Sequence, residues 1–267
     1  MNARWKKSKN FAAAYEYAKG VVEGKIVANK YRVKGCQRFL DDLENPEFDF
    51  RLHDAETVIM IIESTFVHMQ GQRLDGSPLR GEPFLLEPFH KFIIFNLLGF
   101  FWAGTKQRRF VEAFIYIPRK NIKTSFAAAL AWGLSILEMR SGSKCYIVGA
   151  ALKQALESFN FILFNLRQMG EDGNFRIQDN NQQHSISRDF KNGSIFIQAL
   201  AANPDKQDSL NCNIAIADEL HAYKNAKQYD IIREAMKAYT NKLMIGITTA
   251  GDDMNSFCYN RLQYCKK

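Results

Sequence analysis

Between residues 108 and 251 lie five short apolar runs, FVEAFIYIP, KCYIVGA, SIFIQAL, CNIAIADE and LMIGITTAG, each bounded by turn or polar residues. They are rich in β-branched and aromatic side chains, which suit a pleated, buried ribbon. Stretches with apolar residues at helical spacing separate them, at 124–139, at 151–169 and more briefly at 226–238. Such alternation leaves few architectures, because parallel neighbours need a crossover element that packs back onto the sheet. The spacing predicts an α/β fold with a mainly parallel sheet flanked by helices. The segment RIQDNNQQHSISRDFKNGSIFIQAL adds a predicted hairpin with Asn192-Gly193 as its turn.

Ahead of this region the patterns are helical, at 11–24, 34–44 and 53–69, with Asp54 as the expected cap of the last. A Gly-, Pro- and charge-rich stretch at 70–83 reads as a connecting loop. The most apolar stretch, FIIFNLLGFFWAG at 92–104, is broken by Asn96 and falls short of the roughly 20 residues a membrane span requires. It reads as a buried helix, so no membrane partner is expected. The division this suggests is a helical subdomain over 1–80 and an α/β core over 81–267. Five scattered cysteines with no C-x-x-C pair suggest neither a disulfide framework nor a zinc site. A net charge of +8 favours anionic partners without identifying one.

Three segments carry candidate chemistry. The first is PRKNIKT at 118–124, between a predicted strand and an Ala-rich predicted helix. In a strand-loop-helix phosphate site, backbone N–H groups wrap the phosphates, a Lys reaches the β- and γ-oxygens and a hydroxyl ligates Mg²⁺. Lys123 and Thr124 stand in those places, but the pattern G-x-x-x-x-G-K-[ST] has Ile117 and Ile122 where it calls for glycine. Taken alone, a basic turn explains the stretch equally well. The second is NIAIADELHA at 213–222, an alternating strand that delivers Asp218 and Glu219 to its carboxyl end. Such a pair suits a metal-holding Asp beside a water-orienting Glu, and also an ordinary acidic helix cap. The third is LMIGITTAGDD at 243–253, whose end is expected to expose Thr248, Thr249 and Gly251. In a parallel sheet all three segments fall at the carboxyl edge, where open α/β sheets bind ligands. Their order along the chain favours a nucleotide hydrolase.

These residues resemble the large terminase subunit, the ATP-driven DNA-packaging motor of tailed bacteriophages. That family carries a deviant loop of the form P-R-K-N-G-K-[ST], an acidic strand ending in DELHA and a coupling strand with S/T-T-A-G, here 118–124, 218–222 and 248–251. GEPFLLEPFHKFIIFNLLGF at 81–100 is similar to the family's adenine-side segment, with Phe89-His90 where P-W-Q is usual. The resemblance implies a P-loop NTPase of the additional-strand type, preceded by the helical subdomain. It implies ATP and Mg²⁺ as cofactors, with Arg119, Lys120, Asn121, Ile122, Lys123, Thr124 and Ser125 in the phosphate loop and Phe89 and His90 beside the adenine. Thr124 and Asp218 would hold the metal, Glu219 would orient the attacking water with Lys123 and Arg119 serving catalysis, and Thr248, Thr249 and Gly251 would couple hydrolysis to movement.

As partners it implies double-stranded DNA, the terminase small subunit and the portal of a procapsid in the host cytoplasm. A ring of subunits is expected during packaging, and a monomer is compatible with the isolated chain. The family's C-terminal nuclease domain is not expected within these 267 residues. The competing readings are a helicase-like motor of the same superfamily and a nucleotide-binding assembly module with little turnover. His221 reads as a loop histidine more readily than as a site residue, and His53, His68 and His184 lack metal-ligand spacing. Phe159, Phe161 and Phe164 read as core. Arg4, Lys6, Lys7, Lys9, Arg108 and Arg109 are equally compatible with DNA contact and with a solvated face.

Overall fold

The computed structural model describes residues 5–118, 120–203 and 210–266. They form two compact units, one from Met1–Ser64 with Phe84–Val111 and the other from Thr65–Pro83 with Glu112–Lys267. The chain therefore passes between the units three times, where the sequence suggested a single boundary near residue 80.

The first unit holds α1 (Lys9–Val22), α2 (Lys30–Asp42), β1 (Phe48–Phe50), α3 (His53–Thr65), α4 (Pro88–Gly99) and β2 (Phe100–Trp102). Ser8 caps α1 by accepting from the amide of Phe11 at 2.9 Å, and Asn29 caps α2 by accepting from Tyr31 and Arg32 at 3.0 Å each. The apolar stripes of these helices meet in an aromatic cluster in which Phe50 and Phe100 lie 4.8 Å apart and Phe11 and Phe95 pack edge-on at 5.4 Å. The helix expected over 92–104 stops at Gly99, because Phe100–Trp102 pair antiparallel with Phe48–Phe50. Likewise α3 ends at Thr65 and not at 69, and its first turn starts at His53, so Asp54 is no cap. Its carboxylate binds Arg108 Nη2 at 3.1 Å. Arg108 is thus buried, and Arg109 pairs with Asp42 while stacking 3.9 Å over Phe48. Both arginines are committed to this unit's interior and not to a solvated face. Arg4 lies outside the described residues.

The second unit is built on a seven-stranded sheet: β3 (Glu112–Tyr116), β4 (Ser143–Gly149), β5 (Arg176–Asp179), β6 (His184–Phe190), β7 (Gly193–Ala201), β8 (Ile214–Asp218) and β9 (Leu243–Thr248). Its order is β3-β9-β8-β4-β7-β6-β5. The first five neighbours run parallel, and β6 and β5 continue antiparallel. The connecting helices are α5 (Lys123–Leu137), α6 (Leu152–Gln168) and α7 (Lys227–Ala235), followed by α8 (Phe257–Cys265), which the sequence reading did not identify. Helix α5 packs on β4, β8 and β9, and α6 on β4 and β7. Every residue of β8 and β9 is buried, as in a sheet covered on both faces. Ala215 and Ala217 of β8 join Tyr229 and Ile232 of α7 and Met244 of β9 in one cluster. Phe159 and Phe161 are core, and Phe164 stacks under Arg80 at 4.6 Å. No helix among the described residues is long and apolar enough to cross a membrane.

The strand that feeds the PRKNIKT loop is β3, and the strand that ends in Asp218 is β8. One further parallel strand, β9, lies between them, which is the additional-strand arrangement of P-loop NTPases.

The β6–β7 hairpin forms, but its register pairs Phe190 with Gly193, so Lys191 and Asn192 occupy the turn and Gly193 opens the strand. Gly193 answers a close approach and not a left-handed turn. A Cβ there would fall 2.8 Å from the Met139 carbonyl carbon and 3.0 Å from Arg140 Cα. Since backbone cannot swing aside, Gly193→Ala is expected to lower stability by about 1–3 kcal/mol, read as a lower urea midpoint with an unchanged m-value.

Candidate nucleotide site at the carboxyl edge of the sheet

Leaving β3, the chain is tied to β9 by Ile117, whose amide donates to the Thr248 carbonyl at 3.3 Å. Asn121 Nδ2 donates to the Pro118 carbonyl at 3.2 Å across the turn. Lys120 and Ile122 are both left-handed, with φ of 65° and 55°. Ile122 is the N-cap of α5 and offers no side-chain acceptor, while its carbonyl takes the Phe126 amide at 2.9 Å. The first amides of α5, from Lys123, Thr124 and Ser125, have no intrahelical acceptor and sit at the positive end of the helix dipole. Left-handed residues just ahead of a helix start curl the backbone so that successive N–H groups converge, which is a setting for an anion. The Ile122 side chain is 43% exposed, so no packing opposes its backbone geometry. Arg119 lies outside the described residues.

The acidic strand meets this loop directly. Asp218 is the last residue of β8, 1% exposed, and Glu219 turns left-handed at φ 52°, ψ 53° into a short 3₁₀ turn over Leu220–Ala222. Lys123 Nζ lies 3.0 Å from Glu219 Oε1. Asp218 Oδ1 is buried without a hydrogen-bond partner among the described residues. Its carboxyl is pushed up to about 7, chiefly by burial and next by the Glu219 charge, with Lys123 acting in the opposite sense.

The end of β9 is closed and not exposed as the sequence suggested. Thr248 is fully buried and Thr249 is 3% exposed, and the chain reaches solvent only from Ala250 and Gly251 onward. The Thr248 hydroxyl accepts from the His221 amide at 3.1 Å, lies 3.2 Å from His221 Nδ1 and donates to the Thr249 carbonyl at 3.0 Å. Thr249 Oγ1 has no partner among the described residues. Gly251 lies against His221, where an added Cβ would come within 3.2 Å of the histidine Cβ. The Glu219 Oε2 atom is 3.0 Å from His221 Nδ1 but lacks hydrogen-bond alignment with it.

His221, which the sequence favours as a loop histidine over a site residue, lies at this candidate site. Its position depends on the left-handed turn at Glu219, and a glutamate gives no sequence signal for that conformation. Phe89 and His90 belong to the first unit, where His90 Nδ1 accepts the Glu87 amide at 3.2 Å and completes the capping box of α4. Burial lowers the His90 imidazole to about 4, so it is neutral near pH 7. Among the described residues no group of three or more His, Cys, Asp or Glu could hold a metal ion. Magnesium asks less of a protein, since it takes one or two carboxylates and fills its octahedron with water and phosphate oxygens. The buried, unpartnered Asp218 oxygen and the Thr124 hydroxyl supply hard oxygen donors of that kind.

Residues 88–267 match the family model for the terminase large subunit, ATPase domain. Among solved structures, the large terminase of bacteriophage HK97 is similar at 21% identity and a TM-score of 0.58, over 80% of this chain and 40% of that one. A variant of the large terminase ATPase domain of Thermus phage P74-26 matches at 15% identity and 0.43, over 56% and 62%. The large terminase of another thermophilic bacteriophage matches at 11% and 0.42, over 58% and 38%. This chain thus spans two fifths of the length of the HK97 protein. A comparison with curated proteins gave no match. With the family model covering two thirds of its length and the loop, acidic strand and coupling strand in one parallel sheet, the chain belongs to the terminase large subunit ATPase-domain family.

Proposed function

We propose that the chain binds and hydrolyses ATP with Mg²⁺, and that hydrolysis drives double-stranded DNA into a procapsid. The observation that carries this reading is the 3.0 Å pairing of Lys123 with Glu219, which joins the loop after β3 to the end of a strand two places away in the sheet. In this reading the β- and γ-phosphates replace Glu219 as the partner of Lys123 and lie on the first amides of α5. Released from the lysine, the Glu219 carboxylate accepts a proton from the attacking water and orients it toward the γ-phosphorus. Thr124 and Asp218 hold the Mg²⁺, which supplies neutralising charge on the phosphate oxygens when bound. Arg119 stabilises the transferring charge, and Lys120, Asn121, Ile122 and Ser125 complete the loop. Thr248, Thr249 and Gly251 pass the nucleotide state to the rest of the motor. The small subunit, the portal and a ring of further copies, in the host cytoplasm, complete this reading.

Glu219→Gln tests the centre of the proposal. It is expected to leave ATP affinity by calorimetry nearly unchanged and to lower kcat by about 10²–10⁴-fold. A Gln variant that turns over ATP like the parent removes Glu219 from the chemistry, and a parent that binds ATP with negligible turnover favours an assembly module.

The loop yields a second expectation. A left-handed non-glycine residue costs about 1–2 kcal/mol, and glycine returns about half of that as chain entropy. Ile122→Gly is therefore expected to gain up to about 1 kcal/mol in stability and to tighten ATPγS binding, while Ile122→Val, equally strained, gains neither. Urea melts and calorimetry on both variants check this.

Asp218 gives the third. With its folded carboxyl raised to about 7, the folded chain holds a proton that the unfolded chain has lost, so this group's contribution to stability falls as pH rises through that window. Without nucleotide, Asp218→Asn is expected to melt a few degrees above the parent at about pH 8 and level with it at about pH 4, while losing Mg²⁺-dependent hydrolysis. Differential scanning calorimetry across pH reads the first effect and a phosphate-release assay the second.

A further inference from the structure

Glu219 and Thr248 close two adjacent strands, and a single side chain, His221, lies against both. Its proton can be placed by counting. The Thr248 hydroxyl has one proton, donated to the Thr249 carbonyl at 3.0 Å, and two lone pairs. One lone pair takes the His221 amide at 3.1 Å, and the ring nitrogen 3.2 Å away fits the other as a donor in the tautomer that carries its proton on Nδ1. Cys258 Sγ, 3.6 Å from the same oxygen, adds only a weak contact.

That Nδ1–H lies 3.0 Å from Glu219 Oε2, the carboxylate oxygen that Lys123 does not take. Oε2 is buried, and the present alignment falls short of a hydrogen bond. The backbone holds the histidine in place: Leu220 is fully buried, the His221 amide is bound to Thr248, and Gly251 packs at its Cβ.

We propose that His221 is a positioning residue for ATP hydrolysis: when Lys123 leaves Glu219 for the phosphates, the Nδ1–H of His221, aimed by Thr248, takes hold of Glu219 Oε2 and sets the carboxylate toward the attacking water. The inference rests on the ATPase reading above. It makes the placement of the water-orienting glutamate depend on the end of β9, so that movement of the coupling strand alters the chemical step without touching the nucleotide.

Three substitutions in the 267-residue chain separate this role from a structural one. His221→Ala removes the donor, His221→Asn returns an amide N–H near the Nδ1 position, and His221→Gln places it one bond further out, near Nε2. Steady-state ATP hydrolysis is expected to show kcat reduced about 10²-fold in His221→Ala and His221→Gln with KM for ATP unchanged, and largely restored in His221→Asn. Combining His221→Ala with Thr248→Val is expected to cost no more than His221→Ala alone, because both break one linkage. Equal losses in Ala, Asn and Gln, a change in KM in place of kcat, or additive losses in the double variant overturn the proposal. An active parent with an equally active His221→Ala overturns it alone, whereas a parent that neither binds ATPγS nor hydrolyses ATP sinks the ATPase reading and this inference together.

Discussion

A buried carboxyl followed by a half-buried one at the end of a strand is costly, and the way their charge is met shapes this edge of the sheet. Desolvating an ionised carboxylate costs several kcal/mol even after relaxation, and Asp218 and Glu219 also repel each other. Lys123, itself nearly buried, neutralises Glu219 at 3.0 Å and leaves Asp218 with an unpartnered oxygen and a raised carboxyl. One positive group facing a carboxylate and a second carboxyl whose ionisation is held back leaves a demand for positive charge. A divalent cation at Asp218 answers that demand, and under the proposed function a phosphate that draws Lys123 away from Glu219 raises it further, so that metal and phosphate would bind cooperatively.

Topology brings these groups together from distant parts of the sequence. Parallel strands put all their carboxyl ends on one edge, and the registers align them: Tyr116 with Thr248, Ile247 with Asp218, and Asp218 with Gly149. The loop at 118–124, the acidic pair at 218–219 and the threonines at 248–249 thereby share one level of the sheet. Because β9 sits between β3 and β8, its end touches both sides of the site, through the Thr248 carbonyl to Ile117 and through the Thr248 hydroxyl to His221. A strand in that place is mechanically suited to register whether the loop and the acidic turn are engaged with the same ligand.

The sheet was legible because its strands are apolar runs of the right length and its helices carry clear periodicity. Lys123, Glu219 and Asp218 stood out as candidates through their residue types, spacing and order, and the sheet brings Lys123 to Glu219. What stayed hidden depends on tertiary choices that leave no local trace. Arg108 and Arg109 look like surface cations in sequence, but an aspartate 54 residues upstream of Arg108 and the ring of Phe48 beneath Arg109 turn them inward. Asp54 looks like a cap, yet the helix begins one residue earlier and spends the carboxylate on that arginine. His221 is two residues from Glu219 in sequence, and only the left-handed φ at Glu219 returns its ring to the carboxylate.

Left-handed backbone at non-glycine residues is confined, among the described residues, to Lys120, Ile122 and Glu219. All three belong to the candidate site. Such conformations cost of order 1–3 kcal/mol each and persist only where the surroundings over-determine them. Here the surroundings are identifiable: α5 fixes the chain after Ile122, the buried Leu220 and the Thr248 hydroxyl fix the chain after Glu219, and the Lys123–Glu219 pair links the two turns. Under the proposed function, a phosphate that competes for Lys123 would break that link and leave the two strained turns to respond separately, one to the ligand and the other to His221. Under that same proposal the strain is held by an ion pair that the substrate itself must break, so the arrival of nucleotide, before any chemistry, is the event the end of β9 would sense.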